Sequence, residues 1–181
     1  MVLQNTELEY KCLVTANEYS NMLKLYANQY KKIRQLNCYY CDRNREILKQ
    51  QAVLRRRITA YSTQITFKIK RAEELLEYEK DVYDFYDPDF LEILAGFDIF
   101  PPFTEISRLE TMRRLVDLPE AELCMDENHY QGITDYEIEY ELKSPVGSPD
   151  SFIAILKKAD ILYQPNNISK FQRSLGNTIF K

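Results

Sequence analysis

Two short stretches near opposite ends of the chain alternate charge and apolarity residue by residue, and they restrict the fold more than anything else in it. Glu7-Leu8-Glu9-Tyr10-Lys11 and Asp135-Tyr136-Glu137-Ile138-Glu139-Tyr140-Glu141 read as β-strands with apolar or aromatic even positions and charged odd ones. Side chains alternate across a strand, so Glu7, Glu9 and Lys11 share one face at a spacing of roughly 7 Å. The same parity puts Glu137 beside Glu139. A strand face of carboxylates and a lysine does not fill a core. It meets either bulk water or a wet, charged interior.

The middle of the chain decides between these. Val53-Leu54-Arg55-Arg56-Arg57-Ile58 and Ile65-Thr66-Phe67-Lys68-Ile69-Lys70 read as two further strands, one placing Arg55 with Arg57 and the other Lys68 with Lys70. Acidic strands near the termini and cationic strands between them suit a closed antiparallel barrel with a polar interior. Carboxylates there would hold hard divalent cations, and the Arg/Lys set a polyanion. Any one such strand alone also fits an exposed edge that carries charges against aggregation.

Taken in order, these segments resemble the CYTH domain of the triphosphate tunnel metalloenzymes, a family named for class IV adenylate cyclase and thiamine triphosphatase. Its Glu-x-Glu-x-Lys signature stands here as Glu7, Glu9 and Lys11. Asn37-Cys38-Tyr39-Tyr40-Cys41-Asp42 and Leu54-Arg55-Arg56-Arg57 are similar to its Tyr-Tyr-Asp and Leu-Arg-x-Arg strands. Thr66-Phe67-Lys68 is similar to its Thr-Leu-Lys strand, without the proline that often follows. Cys124-Met125-Asp126 and Asp135–Glu139 resemble its closing metal-binding strands. The match runs from Glu7 to about Arg173, and the layout is most like the small, stand-alone bacterial branch.

The resemblance implies a single CYTH domain over residues 1–181, an α+β fold built on a closed, eight-stranded antiparallel β-barrel with flanking helices. It implies a metal-dependent triphosphatase acting on the terminal phosphoanhydride of inorganic triphosphate or a related organic triphosphate. Glu7, Glu9, Asp126, Glu137 and Glu139 are the expected ligands of Mg2+ or Mn2+. Lys11, Arg55, Arg57, Lys68, Lys70, Arg113, Lys170 and Arg173 are the expected phosphate binders, with Lys11 and Glu139 closest to the chemistry. Arg113 is chosen among Arg108, Arg113 and Arg114 because it keeps parity with Thr111. Glu77 and Glu79 fit equally a solvated strand and a part in the site, and Glu77 and Glu139 are both conceivable acceptors for an attacking water.

Charge explains why such a site needs both signs. A triphosphate carries about four negative charges and cannot enter a low-dielectric cavity uncompensated. Arginines offer bidentate forks, whereas lysines act as compact point charges. Carboxylates beside the polyanion would repel it unless a cation bridges them. Two other functions stay open: a class IV-type adenylate cyclase, and a non-catalytic polyphosphate-binding module. The paired Glu-x-Glu strands favour an enzyme. The chain has no tryptophan to stack a thiamine ring, although its 14 tyrosines could substitute.

Composition narrows the remaining classes. A formal charge of −4 argues against general nucleic-acid affinity. No run of roughly twenty apolar residues suggests a membrane span. The N-terminus lacks the basic and apolar regions of a signal peptide, so a cytoplasmic location is expected, with the protein a monomer or homodimer. The four cysteines, Cys38-x-x-Cys41 with Cys12 and Cys124, do not make paired finger-like spacings and are expected as reduced thiols. The single histidine, His129, is placed in an expected turn over Asp126–Tyr130.

Strands are expected at Glu7–Val14, Arg34–Asp42, Val53–Thr59, Gln64–Lys70, Leu75–Asp81, Phe103–Leu109, Thr111–Asp117, Glu120–Asp126 and Tyr136–Leu142. Thr15 and Glu18 form a capping box ahead of a helix whose apolar spacing runs from Glu18 to Tyr30. Asp87-Pro88-Asp89 opens a helix ending near Ala95-Gly96. Pro149-Asp150-Ser151 caps Phe152–Ala159, and the tail from Ile161 reads as irregular.

Overall fold

The computed structural model describes residues 2–6, 8–71, 74–144 and 147–176. The elements are β1 (Leu3–Thr6), β2 (Glu9–Val14), α1 (Ala16–Leu25), β3 (Lys31–Asp42), α2 (Glu46–Lys49), β4 (Val53–Ile58), β5 (Thr63–Arg71), β6 (Glu74–Asp81), α3 (Pro88–Ala95), β7 (Phe103–Asp117), β8 (Ala121–Tyr130), β9 (Ile133–Leu142), α4 (Asp150–Lys158) and α5 (Lys170–Leu175). The strands follow the hydrogen-bonded order β1-β6-β5-β4-β3-β7-β8-β9-β2. The α+β, antiparallel character matches expectation. The closed barrel does not: among the described residues the order is open, with β1 and β2 at its two ends and β1 a short additional strand. The extra strand, β1, exists because Leu3–Thr6 pairs with Glu79–Leu76 of β6, a partner 70 to 76 residues away that local alternation cannot reveal.

The chain forms two compact units. One comprises residues 1–6, 36–109 and 170–181; the other comprises residues 7–35 and 110–169. In the first, Leu54 of β4, Ile65, Phe67 and Ile69 of β5, and Phe90 and Leu94 of α3 share a buried core. In the second, Leu123 and Met125 of β8, Ile138 and Tyr140 of β9, Tyr19 and Met22 of α1, and Phe152 and Leu156 of α4 do the same. Each core takes the apolar parity of its strands, so the charged parity is turned to the opposite face.

Local signals placed α1, α3 and α4 but gave no sign of α2, and the cap position of α4 is Pro149, whose side chain offers no hydrogen bond. Thr15 Oγ1 accepts the Glu18 N–H at 3.3 Å and Glu18 Oε2 accepts the Thr15 N–H at 2.7 Å, completing the expected box. α1 stops at Leu25, short of Tyr30, and Asn28 stands in the left-handed region at φ 64°. Asp87 caps α3 by accepting the Phe90 N–H at 3.2 Å, with Pro88 in the first turn.

Three expectations are corrected. Phe103–Leu109 and Thr111–Asp117 are one strand, β7, because Glu110 stays extended and takes a bidentate ion pair from Arg34 on β3 (2.8 and 2.9 Å). The turn expected at Asp126–Tyr130 lies instead at Gln131-Gly132, whose φ values are 48° and 76°. Asn128 does not initiate a turn because its side chain is engaged across the sheet, accepting from Thr111 Oγ1 at 2.8 Å and donating to Asp135 Oδ1 at 2.9 Å. The tail is irregular only to Ser169. Beyond it α5 forms, burying Phe171 and Leu175, with the Phe171 ring 4.9 Å from that of Tyr39. Among the described residues no helix is long and apolar enough to cross a membrane.

Candidate functional site

In the second unit, antiparallel register brings four charged rows onto one face. Glu9 lies opposite Glu141, and Lys11 opposite Glu139, across β2 and β9. Cys124 lies opposite Glu139, and Asp126 opposite Glu137, across β8 and β9. Arg113 of β7 lies opposite Asp126. The carboxylates of Glu9, Glu139 and Glu141 each offer an oxygen within 4.8 Å of the others. Glu7 falls outside the described residues. Of the expected metal ligands, Glu9 and Glu139 therefore meet in one cluster, while Asp126 and Glu137 form a fully buried cross-strand pair beside it.

Arg113 ties these groups together. Its Nε and Nη2 donate to the two oxygens of Asp126 at 2.9 and 2.8 Å, Nη2 also donates to Glu139 Oε2 at 2.6 Å, and Nη1 to Glu141 Oε1 at 3.2 Å. Burial pulls the guanidinium pKa down, yet the surrounding carboxylates overcome it and hold the group well above its usual range. Lys11 pairs with Glu9. Burial again acts against its charge, and Glu9, Glu139 and Glu137 outweigh it, so the ammonium pKa stands raised. Both cations on this face are thus firmly charged. The Cys124 thiol, 3.8 Å from Glu141 Oε1, is held well above its usual pKa by burial.

The first unit carries the cationic strands. Arg55 Nη2 donates to Thr66 Oγ1 at 2.9 Å and reaches Glu79 at 3.5 Å, while Thr66 donates onward to Glu79 Oε1 at 3.1 Å. Lys68 pairs with the buried Glu77 at 3.0 Å. Arg57 Nε donates to Asn37 Oδ1 at 3.1 Å. Arg55 is almost fully buried, and its Nε has no hydrogen-bond partner among the described residues. Burial raises the Tyr39 phenol, and Arg55, Lys170, Arg57 and Lys68 pull against that rise. The charges of four expected phosphate binders are therefore felt at one buried tyrosine. Arg173 lies one turn along α5 from Lys170. Lys70 keeps the parity of Lys68 but is exposed, opposite Leu75.

Glu141 was not among the expected ligands, although it continues the alternation of Glu137 and Glu139 in the sequence. Glu77 and Glu79 resolve toward the charged face, as counter-ions of Lys68 and Arg55. His129 binds Thr134 Oγ1 through Nδ1 at 3.0 Å and sits 3.2 Å from Glu127. All four cysteines are free and buried.

These two faces and the strand order define the class of protein. The chain belongs to the CYTH domain family, whose profile matches residues 5–175. Among solved structures, a candidate adenylate cyclase from Bacillus halodurans aligns with a TM-score of 0.81 at 26% identity, over 94% of this chain and 97% of that one. A candidate adenylyl cyclase from Hippeastrum, described as having a dominant triphosphatase activity, aligns with a TM-score of 0.75 at 20% identity, over 93% and 95%. A Pyrococcus horikoshii protein aligns with a TM-score of 0.64 at 18% identity, over 92% and 97%. The last two likenesses speak to the fold alone. Comparison with curated protein sequences found no match.

Proposed function

We propose that this protein is a metal-dependent triphosphatase that cleaves the terminal phosphoanhydride of a triphosphate, with inorganic triphosphate the substrate its charged faces suit best. The observation that carries the reading is the cluster of Glu9, Glu139 and Glu141, three carboxylates within 4.8 Å on neighbouring strands. Oxygen-only donors at that spacing fit a hard divalent ion, Mg2+ or Mn2+. When bound, such an ion supplies Lewis acidity toward phosphate oxygens and water.

The protein's own groups do the rest. Arg55 gives phosphate oxygens a rigid guanidinium donor, and Arg57, Lys68 and Lys170 add fixed positive charge. Lys11, kept protonated by its carboxylate neighbours, contributes a compact cation beside the acidic cluster. Arg113 orients Asp126, Glu139 and Glu141 as one set. Residues 1–181 are read as a single CYTH domain because the family match runs through both units.

The description of the Bacillus halodurans protein supports a second reading, adenylate cyclase, in which the same charged groups would direct the ribose 3′-hydroxyl onto the α-phosphate of ATP. One assay separates the two: tripolyphosphate, ATP and thiamine triphosphate incubated with Mg2+, Mn2+ or EDTA. Metal-dependent orthophosphate release is the expected result. Cyclic AMP and pyrophosphate from ATP, without orthophosphate, would establish the cyclase instead.

A further inference from the structure

The segment between α4 and α5 has neither helix nor strand from Ile161 to Ser169, yet one residue in it is fixed from three directions. Asn166 donates its backbone N–H to the Lys11 carbonyl of β2 at 2.9 Å. Its Oδ1 accepts the Ile168 N–H at 3.0 Å, and its Nδ2 donates to the Ile168 carbonyl at 3.0 Å. The side chain is thereby closed on its own turn, with the amide plane set. The same Nδ2 donates to Glu137 Oε1 at 2.7 Å, and the two protons of the amide nitrogen suffice for both acceptors.

Glu137 is a carboxylate for which orientation matters. It is fully buried, and its cross-strand neighbour Asp126 is a second fully buried carboxylate. Like charges directly opposite each other repel, and buried charge without donors is costly. Asp126 takes the two-pronged Arg113 fork, and the Asn166 amide donates to Glu137. Because that amide is itself locked in its turn, it fixes the direction of the carboxylate oxygen that accepts from it. The backbone tie to Lys11 also couples that direction to the strand carrying Glu9.

We propose that Asn166 is a positioning residue for Glu137, holding this carboxylate in the orientation in which it serves a divalent cation at the acidic face. The inference rests on the metal-dependent reading above. Groups that orient a metal-binding carboxylate from behind contribute strongly to affinity without touching the ion.

Titration of the full chain with Mn2+ alone, by calorimetry, tests this without relying on turnover. Asn166→Ala is expected to weaken Mn2+ binding by about tenfold or more. In a Glu137→Gln background the same substitution should change affinity by less than about twofold, because its route of action is already gone. Asn166→Ser keeps an acceptor for the Ile168 N–H but shortens the side chain, and guards against loss of the turn itself; it should weaken binding as alanine does. Unchanged affinity in both folded Asn166 variants overturns the inference, as does an equal loss with and without Glu137. Absence of Mn2+ binding by the unsubstituted protein overturns the metal-dependent reading itself, and the inference with it.

Discussion

Arg113 grips Asp126 with two parallel hydrogen bonds, Nε to Oδ1 at 2.9 Å and Nη2 to Oδ2 at 2.8 Å, and both side chains are buried. Because the same guanidinium also reaches Glu139 and Glu141, the acidic face is held together by an internal cation. Removing Arg113 would leave Asp126 as a buried charge without its fork. Arg113→Ala is therefore expected to destabilise the fold by about 3–5 kcal/mol. Urea unfolding checks it; a stability loss well below this range would show that Arg113 serves ligand binding more than the fold.

Glu139 and Glu141 face the same cluster from neighbouring positions on β9. Glu139→Gln is expected to reduce metal-dependent tripolyphosphate hydrolysis on the order of a hundredfold or more, with Glu141→Gln losing activity that higher Mn2+ partly restores. Initial rates against metal concentration measure both. Full activity in the Glu139 variant would refute the ligand assignment.

Arg113 and Lys11 offset only part of the negative charge crowded on this face, and a divalent ion would offset more. Mg2+ or Mn2+ at about a hundred times its dissociation constant should add about 2.7 kcal/mol of stability. For a chain of this size that corresponds to a rise in Tm of roughly 5–10 °C over the EDTA-treated protein. Differential scanning calorimetry with and without metal reads it directly, and indifference to both would count against a preformed site.

Burial, with the Glu137 and Glu18 carboxylates adding to it, pushes the Cys12 thiol from 9.0 up to about 12. The unfolded chain thus loses this proton in a window where the folded chain retains it. It binds fewer protons there, so stability falls as pH rises between 9.0 and about 12, at up to about 1.4 kcal/mol per pH unit. Cys12→Ala should flatten that part of the stability profile. Denaturant midpoints of the two proteins across this range make the comparison.

Much of the site was legible along the chain because alternation is a local property. Glu9 with Lys11, Arg55 with Arg57 and Glu137 with Glu139 each follow from strand parity alone, and Thr15 with Glu18 from a four-residue box. Glu141 was equally visible, one further step in the same alternation beyond the end of the family motif at Glu139. Asn166 had no such signal. It lies in a segment without periodicity, and its importance depends on a carbonyl at Lys11 and a carboxylate at Glu137, both far off in sequence.

The sequence by itself determined which residues share a face, because the two-residue period of a strand is set by its covalent geometry. It also determined where α1 and α3 begin, because their caps are short-range hydrogen bonds. Tertiary structure alone decided the pairings: that β1 joins β6, that Glu9 meets Glu141, that Arg113 takes Asp126, and that Asn166 reaches Glu137. Register and long-range hydrogen bonds arise from which strands come to lie side by side. No local pattern carries that information.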